Sequence, residues 1–134
     1  MWPFRRKAPS ADGSLGRWGE KLAARFLKKR GLKILARNYR CPPGEADVIA
    51  MDASTRAVCG AETLVFVEVK TRRSDAYTDP RWAVDAGKRD RMRKVAKYFT
   101  SARGAGEFNV RFDIVTIVAP DGDEPEITYI PDAF

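Results

Sequence analysis

The chain has 134 residues, 25 Lys and Arg against 18 Asp and Glu, a net charge of +7, two cysteines and no histidine. The length suits one domain, and 44% hydrophobic residues suffice for a real core. The absence of histidine excludes His-based nucleases, Ser–His and Cys–His hydrolases and imidazole zinc sites. Cys41 and Cys59 lack CxxC spacing, so neither a disulfide nor a thiolate metal site is expected. Any catalysis here relies on carboxylates, lysine and a hard metal ion. The charge is uneven: residues 120–134 hold five acids and no bases, leaving residues 1–119 with 25 bases against 13 acids, a net +12. A basic body with an acidic tail points to a polyanionic partner, nucleic acid first, since no amphipathic membrane anchor is evident. No apolar run is long enough to span a bilayer. The start lacks a secretory apolar region behind Arg5-Arg6-Lys7, so a cytoplasmic location is expected.

In chain order, residues 1–13 read as a flexible basic arm, and residues 14–134 as a single domain. Leu15, Trp18, Leu22 and Phe26 recur at helical spacing from Ser14, a candidate N-cap, to Gly31, a candidate stop. Strands are expected over 33–40, 45–51 and 63–71, the first two separated by Cys41-Pro42-Pro43-Gly44 and the last two by a long connection over 52–62. Asp79-Pro80 has the form of a helix cap followed by proline. A second helix is predicted over 85–102, striped by Met92, Val95 and Phe99 and ended by Gly104 and Gly106. Strands over 110–118 and 127–130 complete an α/β or α+β domain around one mixed sheet.

The informative oddity is Phe66-Val67-Glu68-Val69-Lys70. Side chains alternate along a strand, so Glu68 and Lys70 share a face inside an apolar run, where an uncompensated charge is costly. A surface ion pair is the simplest account. Asp47 adds an acid on the neighbouring strand, within reach of a shared Mg²⁺ that would also take the Val69 backbone carbonyl. Lys70 is then placed to orient or help deprotonate the attacking water. Taken alone, Asp47 reads equally as the solvent side of a half-exposed strand, with Glu45 on its face. Glu20 lies about 20° from Leu27 and about 60° from Ala23 around its helix, at the margin of the packed stripe; pairing with Arg17 would also explain it. Lys88 falls four, seven and eleven residues before Met92, Val95 and Phe99, at the end of a buried stripe. It either snorkels to solvent or extends toward a phosphate. Arg72, Arg73, Arg89, Arg93 and Lys97 are candidate phosphate contacts.

An acid followed about twenty residues later by acid-x-lysine resembles the PD-(D/E)xK nuclease signature. Further blocks extend the match: Gly16, Glu20 and Ala23-Ala24; Asn38-Tyr39-Arg40; Gly44-Glu45-Ala46-Asp47-Val48-Ile49-Ala50; Phe66-Val67-Glu68-Val69-Lys70-Thr71-Arg72; Lys88; and Arg111-Phe112-Asp113-Ile114-Val115. Together they resemble the YraN family of small bacterial nuclease-like proteins, over about residues 14–134. That family is similar to archaeal Holliday-junction resolvases and restriction endonucleases. Ala46, where a larger aliphatic is usual, and the long 52–62 connection are the departures. The resemblance implies a restriction-endonuclease-like fold of αβββαβ order and Mg²⁺- or Mn²⁺-dependent phosphodiester hydrolysis. It implies Glu20, Asp47 and Glu68 as ligands or metal-positioning acids, Glu20 through water, with Lys70 as the catalytic lysine. Branched or single-stranded DNA is the expected substrate, and the two-fold symmetry of junctions suggests a homodimer. The competing expectation is a basic nucleic-acid-binding or adaptor module without turnover; no Gly-rich phosphate loop favours a small-molecule enzyme.

Overall fold

A computed structural model of the chain describes residues 8, 14–73, 84–103, 108–120 and 122–134. Nearly all of the expected basic arm, the Asp79-Pro80 cap and the glycines at 104 and 106 lie outside them. The elements run α1 (Ser14–Lys29), β1 (Lys33–Cys41), β2 (Gly44–Asp52), a short turn of 3₁₀ helix (Ala53–Thr55), α2 (Arg56–Cys59), β3 (Thr63–Arg72), α3 (Ala86–Ala102), β4 (Asn109–Val118) and β5 (Glu126–Ile130). The five strands form one sheet in the order β1-β2-β3-β4-β5. Only the β3–β4 pair is parallel; the other three are antiparallel. The parallel step follows from α3, because strands running the same way need a long crossover between them. This is an α+β domain with a mixed sheet and the αβββαβ order of a restriction-endonuclease-like core.

Each helix buries one face. Trp18, Leu22, Ala23 and Leu27 of α1 pack on Val48, Ala50, Val65, Val67, Val69, Val115 and Ile117. Val95, Ala96 and Phe99 of α3 pack with Ile49, Leu64 and Phe66 in a second cluster, and Met92 meets Val84 and Ile114 in a third. Phe99 sits edge-on to both Tyr39 and Phe66, at 5.2 and 5.7 Å between ring centroids. β3 is thus covered on both sides, and every residue from Thr63 to Val69 is buried. That explains its continuous apolar run, as expected of a strand with helices above and below.

The helix ends are set locally. Gly31 takes a φ of 95°, Gly31 N–H donates to Lys28 O and Leu32 N–H donates to Leu27 O. This left-handed residue satisfies the last carbonyls of α1 and turns Leu32 back into the core. At α3, Asp85 is the N-cap, its Oδ1 accepting the Lys88 backbone N–H at 2.9 Å. The 52–62 connection, expected as an irregular turn, holds the 3₁₀ turn and the four-residue α2; an element so short leaves no periodicity to read.

Candidate active site

β2 and β3 pair from Asp52↔Thr63 to Val48↔Val67, and the ladder ends there. At the next position Asp47 replaces the ladder with its side chain: Oδ2 accepts the Val69 backbone N–H at 2.8 Å. Val69 N–H is thereby satisfied, while the strands are free to separate. Glu68, buried at 6% exposure, is held on its other side by the parallel register with Ile114 of β4. The Glu68 carboxyl lies close enough for its charge to act on that of Asp47.

Two acids in one partly buried place cannot both ionise easily. Burial first, then the charge of Glu68, push the Asp47 carboxyl up to about 7, against the opposing pull of the Val69 N–H and the Lys88 ammonium. Near neutral pH the Asp47 carboxyl is therefore only partly ionised. Lys88 reaches in from the first turn of α3, and its Nζ contacts Glu68 Oε2. Lys88 does not snorkel freely to solvent: its charge is turned toward the carboxylates. Lys70, half-buried two residues along β3, has no ion-pair partner among the described residues. The Glu68–Lys70 surface ion pair is replaced by Glu68–Lys88.

Glu20 approaches from α1. Burial, and next the charge of Asp47, raise its carboxyl above the ordinary range, while a hydrogen bond with Asn38 and the charge of Arg37 oppose the shift. Its partners are thus on β1, not Arg17. Asn38 has a φ of 52°, a left-handed conformation that asparagine tolerates better than most residues. Glu20 is brought close by Gly19, which is buried against Thr71: a Cβ on Gly19 would lie 1.8 Å from Thr71 Oγ1. Glu45 is exposed and pairs with Arg40 at 3.4 Å, so it belongs to the surface.

Of the remaining basic candidates, Arg72 and Arg73 end β3 half-buried and already engaged. Arg89 donates to Val84 O at 2.9 Å, and its guanidinium lies 5.3 Å from the Phe134 ring centre; Arg93 lies 5.6 Å from the same ring. Lys97 is exposed on α3.

Sequence reasoning passed over a second polar cluster. Asp113, with no exposed surface, accepts from Arg111 Nε at 2.9 Å, Arg111 Nη2 at 3.0 Å, the Tyr129 hydroxyl and the Asp132 N–H. Arg111 Nη1 also reaches Asp52 Oδ2 at 3.0 Å. Burial works to raise Asp52, but hydrogen bonds from Ser54 and Arg111 carry its carboxyl below the usual range. Burial and the neighbouring Asp113 push the Tyr129 hydroxyl well up. Every acceptor has donors, so the cluster acts as a strut joining β2, β4 and β5. The available signal was an acid inside the apolar run Phe112-Asp113-Ile114-Val115, the same oddity that marks Glu68.

Among the described residues, no three of Asp, Glu and Cys cluster closely enough to hold a metal by themselves. The donors brought together are the Asp47 and Glu68 carboxylates, hard oxygen both, with Glu20 near enough to feel the charge of Asp47. That chemistry fits Mg²⁺ or Mn²⁺ with water completing the shell. The raised Asp47 carboxyl fits too, since a cation relieves the same repulsion.

The match to the model of "Uncharacterised protein family UPF0102" covers residues 19–117, from the residue before Glu20 to the penultimate residue of β4. The chain belongs to this family. Among its relatives, a UPF0102 protein of Syntrophotalea carbinolica is 40% identical over 90% of this chain and 91% of its own. One from Trichlorobacter lovleyi is 42% identical over 98% and 96%. The YraN resemblance and the UPF0102 match are the same family. The chain was also compared with solved structures, where "The structure of Pyrococcus Furiosus SfsA in complex with Ca2+" aligns with 87% of this chain and 62% of that one. The identity is 15% and the TM-score 0.28, too low to carry an argument. No helix among the described residues is long and apolar enough to cross a membrane.

Proposed function

We propose that this UPF0102 protein is a metal-dependent endonuclease that hydrolyses phosphodiester bonds in branched or single-stranded DNA. The observation that supports it most is the Asp47–Glu68 pair, two neighbouring carboxyls where the β2–β3 ladder ends, with Asp47 raised to about 7. Placing two acids so close costs the fold stability that a bound cation would restore. Asp47, Glu68 and the Val69 carbonyl would hold Mg²⁺ or Mn²⁺, with Glu20 joining through water.

A bound divalent ion would supply Lewis acidity to the scissile phosphate. The chain's own residues do the rest. Lys70, without an acidic partner among the described residues, would orient the attacking water and balance charge on the phosphate. Lys88 holds Glu68 against Asp47 and offsets one of the two negative charges.

With Mg²⁺ or Mn²⁺, the purified protein is expected to nick flap, junction or single-stranded DNA, and Asp47→Ala and Lys70→Ala are expected to abolish cutting. Variants that cut like wild type would sink the assignment. The Lys88–Glu68 contact favours one other reading, because it partly neutralises the acids without any ion: a binding module without turnover. Binding that ignores divalent ions and survives Asp47→Ala, with no cleavage of any of these substrates, would select it.

A further inference from the structure

We propose that the groove between α1 and β1 seats the sugar–phosphate backbone of a single nucleic-acid strand, leading it toward the Asp47–Glu68 site. The proposal rests on the nucleic-acid reading above and adds a binding surface on the basic outer face of α1.

The groove measures about 290 Å³ and is lined by Lys21, Ala24, Arg25, Lys28, Ile34 and Arg37. Four of the six are cationic and none is acidic. Lys21, Arg25 and Lys28 follow one another at four and three residues, the spacing that puts helix side chains on one face. At 1.5 Å of rise per residue they mark out a line about 10 Å long rather than converging on a point. A compact anion such as a lone phosphate is served by converging donors; a line of cations suits an extended polyanion. The floor is Ala24 and Ile34, apolar and suited to deoxyribose or a base face. A volume of this size accommodates one strand, not the width of a duplex.

Continuity with the acid site comes from Arg37. It closes the groove on the β1 side and is also one of the charges acting on Glu20, which in turn feels Asp47. The groove therefore begins one residue after Glu20 on α1.

The test measures affinity for a short fluorescent single-stranded DNA across a salt series in EDTA, where no cleavage occurs. Wild type is compared with K21A/R25A/K28A and with R56A/R91A/K94A, which removes three exposed bases elsewhere. Each phosphate contact on a single strand contributes about 0.7 to the slope of log K against log salt, so the groove triple is expected to flatten it by about 2 and the comparison triple to leave it unchanged. Equal flattening by both triples, no flattening by the first, or no binding by wild type overturns the proposal. Should the groove triple fail to fold, Lys28→Glu at a solvent-exposed position replaces it, with weakened binding expected and unchanged binding overturning the proposal. Because the readout needs no metal, its failure is separate from that of the nuclease reading. Groove-dependent binding without cleavage would leave the groove standing alone, and Asp47-dependent cleavage that ignores the groove would do the reverse.

Discussion

Lys88, in the first turn of α3, places its ammonium on the Glu68 carboxylate of β3, twenty residues earlier in the chain. The contact joins the α3 layer to the strand that carries most of the candidate site. It depends on Asp85, whose side chain caps the backbone N–H of Lys88 itself. Replacing Lys88 with methionine keeps the apolar stem and removes the charge. Two acids then face each other unopposed, and Asp47 is expected to titrate higher than in wild type, read by ¹³C NMR of the carboxyl. Breaking a fully buried pair costs about 3–5 kcal/mol; Lys88 is only partly buried, so a loss of about 2 kcal/mol in urea unfolding is expected. An unchanged Asp47 titration would mean that the contact does not act on the pair.

The raised Asp47 carboxyl makes stability fall with pH. Between its ordinary 3.8 and its folded value near 7, the folded chain binds a proton that the unfolded chain does not. Stability is therefore fullest near pH 4, declines up to about pH 7 and levels off above it. Asp47→Asn imitates the protonated acid: the amide donates to Glu68 and its oxygen accepts from Val69. This variant is expected to be more stable than wild type at pH 8, by on the order of 1–3 kcal/mol, and to lose the slope between pH 4 and 7. Cleavage is expected to vanish in the same protein. A variant less stable than wild type at pH 8 would refute the raised Asp47 carboxyl.

Much of this was legible in the sequence, for reasons that differ between residues. Asp47 and Glu68 were readable because β2 and β3 are sequential antiparallel strands, so the distance between acids in sequence translates into distance across a ladder. Glu20 was readable from its angle on α1. The partner of Lys88 was not: its helical stripe is visible, but the strand it meets is fixed by how α3 crosses between the parallel strands β3 and β4. Asn38 and Arg37, which act on Glu20, were hidden likewise, because the way α1 packs across β1 is not written in either segment alone. The Asp113 cluster draws on three strands and was legible only as one acid in an apolar run.

Tyr129 and Asp113 give that cluster an alkaline signature. The folded hydroxyl is raised above its ordinary value of 10 by burial and by Asp113. The folded chain therefore keeps a proton that the unfolded chain releases, and stability falls as pH rises through 10. Tyr129→Phe removes one donor from Asp113 and leaves those of Arg111 and Asp132, so a cost of about 1–2 kcal/mol is expected at neutral pH. The same substitution should flatten the decline in Tm above pH 10. A decline identical in both proteins would assign it to other groups.

Gly16 and Gly19 lie one turn apart on α1 and are expected to respond to alanine with opposite signs. Nothing lies within 4 Å of a Cβ built on Gly16, which is exposed, so Gly16→Ala gains helix propensity alone. Its expected effect is a stabilisation of about 0.5–1 kcal/mol. At Gly19 the same methyl would sit 1.8 Å from Thr71 Oγ1 and 2.8 Å from Thr71 Cβ. Thr71 belongs to the β3 backbone two residues beyond Val69, so it cannot swing aside, and α1 must move away from the sheet. Overpacking of this kind costs about 1–3 kcal/mol, more than the propensity gained. The displacement carries Glu20 with it, because Glu20 is the next residue. Gly19→Ala is therefore expected to lower Tm and also to weaken Mn²⁺-dependent cleavage in the fraction that remains folded, whereas Gly16→Ala raises Tm and leaves cleavage intact. Equal effects of the two alanines would show that the close approach of α1 to Thr71 does not position Glu20.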